Sequence, residues 1–237
     1  MRVVPREIVG AELCRAGFIE APVTRFLLRH LRPGMVFVDV GAHYGYHSLV
    51  ASLVVGSGRV LSLEPGRGVF SLLAANVAGA ANVSPLPVAA FSGPATVVLQ
   101  DFGPRCSALS TLLPSARVPP AERRGLRLRG GAYPVPAVAL DDLLDEAGLV
   151  ADVVKLDAEG AELAILGGMR RMLERSGPVV TLETGDYDGM ASPATAECLD
   201  LLESHGYRAH ELDAGGDLRP HRRRPRYDYG NLFLLKG

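Results

Sequence analysis

One stretch constrains this chain more than any other: Val38-Asp39-Val40-Gly41-Ala42-His43-Tyr44-Gly45, with Gly58-Arg59-Val60-Leu61-Ser62-Leu63-Glu64-Pro65 after it. An apolar run ends in a glycine-bracketed turn, a helical pattern follows, and a second apolar run ends in an acid. That is the pattern of a nucleoside-binding βαβ unit. Residues 35–40 are apolar and β-branched enough for a strand buried on both faces. Gly41 and Gly45 permit positive φ and a close ligand approach, and the helix starting near Gly45 offers unpaired N–H groups. Glu64 follows Gly45 at close to the roughly twenty-residue spacing at which an acid meets ribose hydroxyls.

The same turn argues against a dinucleotide. Pyrophosphate sites use G-x-G-x-x-G, whereas this chain has G-x-x-x-G, and Asp39 would set a carboxylate against the phosphates. A ligand carrying an ammonium group suits Asp39 better. S-adenosylmethionine, with an ammonium and a sulfonium, is the nucleoside that fits.

At 237 residues the chain suits one α/β domain. With 25 basic and 26 acidic residues, nothing global attracts nucleic acid or a membrane. Cys14, Cys106 and Cys198 are isolated, so they imply neither a disulfide framework nor a zinc site, and a reducing cytoplasm is the expected compartment. No apolar run is long enough for a membrane span, and residues 1–10 lack the apolar core of a signal peptide.

Helical periodicity covers 11–31, and Pro33-Gly34 ends it. Strands are expected at 35–40, 59–63, 83–90, 152–156, 179–182, 207–212 and 232–235, with a short edge strand at 97–99. Helices are expected after Gly45 and over 68–77, 140–147, 162–174 and 194–205. This alternation predicts a Rossmann-like, mostly parallel sheet with helices on both faces. The last two strands are joined by a loop with no helical pattern, which excludes a parallel crossover and makes them antiparallel. Periodicity fails over 101–136, where Pro, Gly and Arg accumulate, so that stretch reads as an insertion or lid over the acceptor site of a single domain, with 1–33 a helical N-terminal segment.

A second constellation, Lys155-Leu156-Asp157-Ala158-Glu159-Gly160-Ala161-Glu162, puts charges at the carboxyl end of a buried strand, and Glu183 ends the next. Ligands bind at that edge of an open α/β sheet, and buried charges there need partners. With Asp39-Val40-Gly41-Ala42, Gly45-Tyr46, Leu63-Glu64-Pro65, Asn76, Leu140-Asp141-Asp142-Leu143, Gly167 and Asn231-Leu232-Phe233, this run resembles the FkbM family of S-adenosylmethionine-dependent methyltransferases. The likeness runs from about Gly34 to the C-terminus and is weakest over 101–136. It implies a seven-stranded methyltransferase sheet with an antiparallel last strand, and O-methylation of sugar or secondary-metabolite hydroxyls. Family members usually carry Asn where this chain has His43.

The expected site follows. Asp39 and the backbone of Gly41, Ala42, His43, Tyr44 and Gly45 hold the methionine portion, Glu64 and Pro65 the ribose side, and Ala89 and Ala90 border the adenine. Asp157 is the leading base or acceptor-orienting group and also borders the cofactor. Glu159 and Glu183 come next, and Lys155 pairs with one of these acids. A divalent metal on the carboxylates is the less favoured arrangement. Arginines at 105, 117, 123, 124, 127 and 129, and at 219, 222, 223, 224 and 226, would suit an anionic small-molecule acceptor if they cover the site. Carboxyl or amine methylation, and a non-catalytic cofactor-binding module, are the competing readings. His43 reads as a hydrogen-bonding replacement for Asn ahead of a catalytic base. His43→Asn is therefore expected to leave methyl transfer largely intact in a labelled-cofactor assay. A loss approaching roughly a hundredfold would instead assign the imidazole a proton-transfer role.

Overall fold

A computed structural model describes residues 1–112, 131–185 and 195–237. The chain runs through α1 (Ile8–Ala16), α2 (Ala21–His30), β1 (Val36–Val40), α3 (Tyr46–Val55), β2 (Arg59–Leu63), α4 (Arg67–Val77), β3 (Val83–Leu86), β4 (Ala89–Ala90), β5 (Ala95–Asp101) and β6 (Gly131–Val138). It continues through α5 (Leu140–Ala147), β7 (Val153–Leu156), α6 (Glu162–Gly167), α7 (Arg170–Arg175), β8 (Val179–Thr184), α8 (Thr195–Ser204), β9 (Tyr207–Leu212), β10 (Leu218–Pro220) and β11 (Gly230–Lys236). Among the described residues no helix is long and apolar enough to cross a membrane.

The main sheet has the order β10-β9-β11-β8-β7-β1-β2-β3. β3, β2, β1, β7 and β8 are parallel, and β11 enters antiparallel between β8 and β9, as the irregular final loop requires. The short hairpin strand β10 extends the expected seven strands by one. β1 is buried along its whole length, and its side chains alternate between two cores. Val36, Val38 and Val40 pack with Leu140, Ile165, Leu166 and Leu199 on one face, while Phe37 packs with Phe26, Leu27, Ala51 and Leu73 on the other.

That alternation has a polar consequence. Asp39 falls on the Phe37 face, and in register beside it stand Ser62 of β2 and Lys155 of β7, with Thr181 of β8 beyond Lys155. All four are buried, forming a polar row across the sheet beneath α2 and α3.

Four elements depart from the sequence expectation, each for a local reason. The helix expected at 11–31 is two helices: Gly17 closes α1 in a left-handed conformation, and Pro22 stands in the first turn of α2. The strand expected at 83–90 divides at Pro87, which has no N–H to donate, so β3 ends at the edge of the main sheet and β4 pairs with β6 in a second sheet. That sheet has the order β4-β6-β5, and β6 begins inside the stretch expected to be an irregular insertion over 101–136. The helix expected at 162–174 is interrupted because buried Asp141 accepts from the N–H groups of Arg171 and Met172 at 2.8 and 3.0 Å, capping α7 as a separate helix.

At Gly41 the turn after β1 comes against the chain after β7. Its φ is +72°, and a Cβ there would stand 1.7 Å from the carbonyl oxygen of Asp157. Gly41→Ala therefore has to move backbone as well as adopt a disfavoured conformation. We expect it to lower unfolding free energy by about 3 kcal/mol or more, as measured by denaturant titration.

Candidate active site

The turn after β1 is fixed by its own backbone. The N–H groups of Gly41 and Ala42 both donate to the Leu63 carbonyl at 3.0 Å, and Gly45 donates to Ala42 at 2.7 Å. His43 sits in the left-handed region with φ +50°, and its N–H donates to Glu64 Oε2 at 3.0 Å. The N–H of Gly66 donates to Glu64 Oε1 at 2.8 Å, so the carboxylate is clamped at the end of β2 with lone pairs left on both oxygens. Burial pushes Glu64 up to about 7, against the two backbone donors.

A cavity of about 270 Å³ opens along this edge of the sheet. In order across the strands it meets Glu64 and Pro65 after β2, Gly41, Ala42, His43 and Tyr44 after β1, Asp157 and Glu159 after β7, and Glu183 in β8. Ala89 and Ala90 of β4 close the Glu64 end. The structure thus brings most of the expected site residues around one space.

Two of them stand elsewhere. Asp39 does not line the cavity, because its position in β1 directs it to the face covered by α3. There its carboxylate accepts from Ser48 Oγ at 2.6 Å, and Lys155 Nζ lies 3.9 Å from Oδ1. It secures the start of α3 rather than facing a ligand. Gly45 is also absent from the wall; a Cβ there would come 2.6 Å from Leu73 Cδ1, so the glycine lets α4 pack against the turn.

The acids beyond β7 form one coupled group. Lys155 Nζ donates to Asp157 Oδ2 at 2.6 Å. Burial alone would neutralise Lys155, but Asp157, Glu20 and Asp39 keep it charged. Burial, the largest single influence, pushes Asp157 up, but the Lys155 charge and hydrogen bond together with the Glu183 hydrogen bond hold the carboxyl below its ordinary value. Glu183 moves the other way: burial and the Asp157 charge raise it well above the usual carboxylate range, so it stays protonated and shares a hydrogen bond with Asp157. Asp157, Glu159 and Glu183 bring ligand atoms within 4.8 Å of one another, the place among the described residues where a divalent ion could be held. Lys155 and the Glu183 proton already offset that charge from within. Glu162, the last acid of the run, accepts from the N–H groups of Ala158 and Gly160 at 2.9 and 3.2 Å and so shapes the loop carrying Glu159.

His43 is neutral, its imidazole pushed down to about 4 by burial, with Asp157 opposing. Its Nε2 lies 2.9 Å from Ser107 Oγ, and Thr111 Oγ1 donates to the Glu159 carbonyl at 2.6 Å. Residues 107–112 are thereby tied to the site at two points. Arg219 pairs with Asp213 at 2.9 Å, Arg223 with Asp200 and Glu203 at 2.7 and 2.9 Å, and Arg224 with Glu211. No arginine is among the described residues that line the cavity, and Arg117, Arg123, Arg124, Arg127 and Arg129 lie outside the described residues.

The sequence reading gave no site role to Ile8, Val9, Glu20 or His47, which also line the cavity. Glu20 had a signal: Pro22 interrupts the helical pattern and marks Glu20 as the residue where α2 starts.

A parallel sheet with an antiparallel strand inserted near its edge, and an acid-lined cavity over the carboxyl ends of its central strands, define a Rossmann-like S-adenosylmethionine-dependent methyltransferase. The family profile described as "Methyltransferase FkbM domain" matches residues 39–209, and the chain belongs to the FkbM methyltransferase family. It is 30% identical over 205 residues to the 31-O-demethyl-FK506 methyltransferase FkbM of Streptomyces tacrolimicus, covering 77% of each chain. Among solved structures, methyltransferase FkbM from Methylobacillus flagellatus KT superposes with a TM-score of 0.53 at 16% identity over 95% of this chain, which spans only 60% of that one. The O-methyltransferase TomG of Streptomyces achromogenes, solved with S-adenosylmethionine, gives a TM-score of 0.52 at 17% identity over 96% of this chain and 87% of its own.

Glu64 generates a pH dependence whose sign can be worked out. Without ligand the carboxyl keeps its proton below about 7. If ribose hydroxyls donate to it, as the sequence reading expects, they favour the ionised form, and binding then expels that proton at lower pH. Affinity for S-adenosylhomocysteine, measured by calorimetry, is expected to rise about tenfold from pH 6 to pH 8, and Glu64→Gln should flatten the rise.

Proposed function

We propose that this methyltransferase acts on a hydroxyl oxygen of a small-molecule acceptor, with Asp157 orienting that hydroxyl and accepting its proton. The observation that carries the reading is the ionised Asp157 carboxylate, fixed by Lys155 at 2.6 Å in the cavity between the β1 turn and Glu183. A carboxylate so held is a directional acceptor for one O–H group. Its low affinity for protons makes it a better positioning group than a proton store, and methyl transfer needs positioning most.

When bound, S-adenosylmethionine supplies a methyl group on a sulfonium, an electrophile already activated. The residues present fit it. Glu64 has lone pairs free for two ribose hydroxyls, and Ala89 and Ala90 are small enough to leave a flat surface for adenine. The backbone of Gly41, Ala42, His43 and Tyr44 flanks the amino-acid portion. Glu183, protonated against Asp157, keeps the pair from carrying two adjacent negative charges. Glu159 stands beside them at the acceptor end, held through its carbonyl by Thr111.

The named relative is a 31-O-demethyl-FK506 methyltransferase, and a hydroxyl in a secondary metabolite is the acceptor class we favour here. The ion pairs of Arg219, Arg223 and Arg224 give no support to an anionic one. The three free cysteines suit a reducing cytoplasm.

Asp157→Ala is expected to reduce methyl transfer by at least about a hundredfold while S-adenosylhomocysteine still binds, read by a mass-shift screen of metabolite extracts alongside calorimetry. Turnover retained in that variant would remove Asp157 from the chemistry.

A further inference from the structure

Three residues other than glycine have positive φ among the described residues: Glu20 at 41°, His43 at 50° and Glu159 at 49°. All three line the same cavity. Backbone of this kind persists where the surroundings over-determine it, and it gathers at ligand sites. His43 and Glu159 belong to the motifs already described. Glu20 does not: it lies before residues 39–209, at the start of α2.

Its carboxylate is built into place. Oε1 accepts from Asn231 Nδ2 at 3.2 Å and from the Tyr229 hydroxyl at 3.4 Å, and Oε2 lies 3.6 Å from His47 Nδ1. His47 is neutral, driven well below its usual range by burial, so it does not neutralise the carboxylate as a cation. Burial raises Glu20, and the charge opposing that is Lys155, which Glu20 shares with Asp157 and Asp39. His47 also belongs to the first turn of α3, which directly follows the glycine turn. Glu20 therefore stands at the helix start that a ligand held by Glu64 and by the Gly41 to Tyr44 backbone reaches with its far end.

An α-amino acid group arriving there carries two charges. Its carboxylate suits the unpaired N–H groups at a helix start, and its ammonium needs a carboxylate close by. Asp39, to which the sequence assigned that role, is buried under α3 outside the cavity. Asp157 is already engaged by Lys155 at 2.6 Å. Glu20 is the cavity carboxylate against the first turn of α3.

We propose that Glu20 is the residue that binds the α-ammonium group at the amino-acid end of S-adenosylmethionine. The N-terminal helical segment is on this view part of the cofactor site, and Asn231 and Tyr229 hold its carboxylate in position. The proposal rests on the cofactor assignment above.

The test needs no acceptor. Wild type and Glu20→Gln are titrated calorimetrically with S-adenosylhomocysteine and with 5′-methylthioadenosine, which keeps the nucleoside and sulfur but lacks the amino-acid end. The expected result is an S-adenosylhomocysteine affinity at least about tenfold weaker in Glu20→Gln, with 5′-methylthioadenosine changed less than about twofold. Retained 5′-methylthioadenosine binding also shows that the variant is folded. Equal loss for both ligands, or no loss for either, overturns the assignment of Glu20. If Glu20→Gln does not fold, Glu20→Asp is compared on the same two ligands, and the same selective loss decides for or against. A wild-type chain that binds neither ligand overturns the cofactor assignment itself, and the Glu20 proposal with it.

Discussion

A single buried cation, Lys155, sets the terms for the rest of the active edge. It stands third in a buried row that runs Ser62, Asp39, Lys155, Thr181 across four parallel strands. A lysine there without partners would be costly, and the acids around it would be costly without the lysine. Together they are compatible: Asp39 secures α3 from below, Asp157 faces the cavity from above, and both are held by the same charge. Removing one member of such a pair typically costs about 3–5 kcal/mol, because the remaining charge is stranded. The lysine thus couples the stability of the sheet to the ionisation of the cavity.

Much of the fold was legible because strands buried on both faces are written as short apolar runs. β2, α5 and β9 fall where the sequence puts them, residue for residue. Breaks were harder to see. Pro22 and Asp141 each divide an apparently continuous helix, one through its missing N–H and the other by a cap reaching across about thirty residues of sequence. The second of these is tertiary, and no local pattern announces it. β4 and β6 likewise depend on a pairing between distant segments.

Most motif residues named from the sequence gather around one cavity, and the facing of Asp39 is what the sequence reading missed. Asp39 sits beside Val40 and Gly41 in sequence, yet strand alternation sends it beneath the sheet edge while its neighbours in the turn border the cavity. Alternation counted from Phe37, which packs under α2, would have given that answer. Glu20 illustrates the opposite failure. It belongs to no motif, and it comes to the cavity because α1 and α2 fold back over the central strands. His43 shows a third case: its left-handed φ is a conformation in which Asn and His are both over-represented, so this chain's His suits the same backbone requirement as the Asn that the family resemblance led one to expect.

The hairpin of β5 and β6 carries a consequence for how such a protein can change over evolutionary time. Its two strands pair in register from Ala95 opposite Ala137 to Asp101 opposite Gly131, and β4 joins the same small sheet. The end of the cavity lined by Ala89 and Ala90 is therefore anchored by paired backbone, while the chain between Asp101 and Gly131 is a hairpin connection whose length the pairing does not dictate. Lengthening such a connection costs little loop entropy, about 0.6 kcal/mol per doubling. Ser107, Ala108 and Leu112, which belong to that connection, border the cavity. Selection can thus rewrite one wall of the chamber by insertion and deletion, leaving the paired strands as an unaltered chassis.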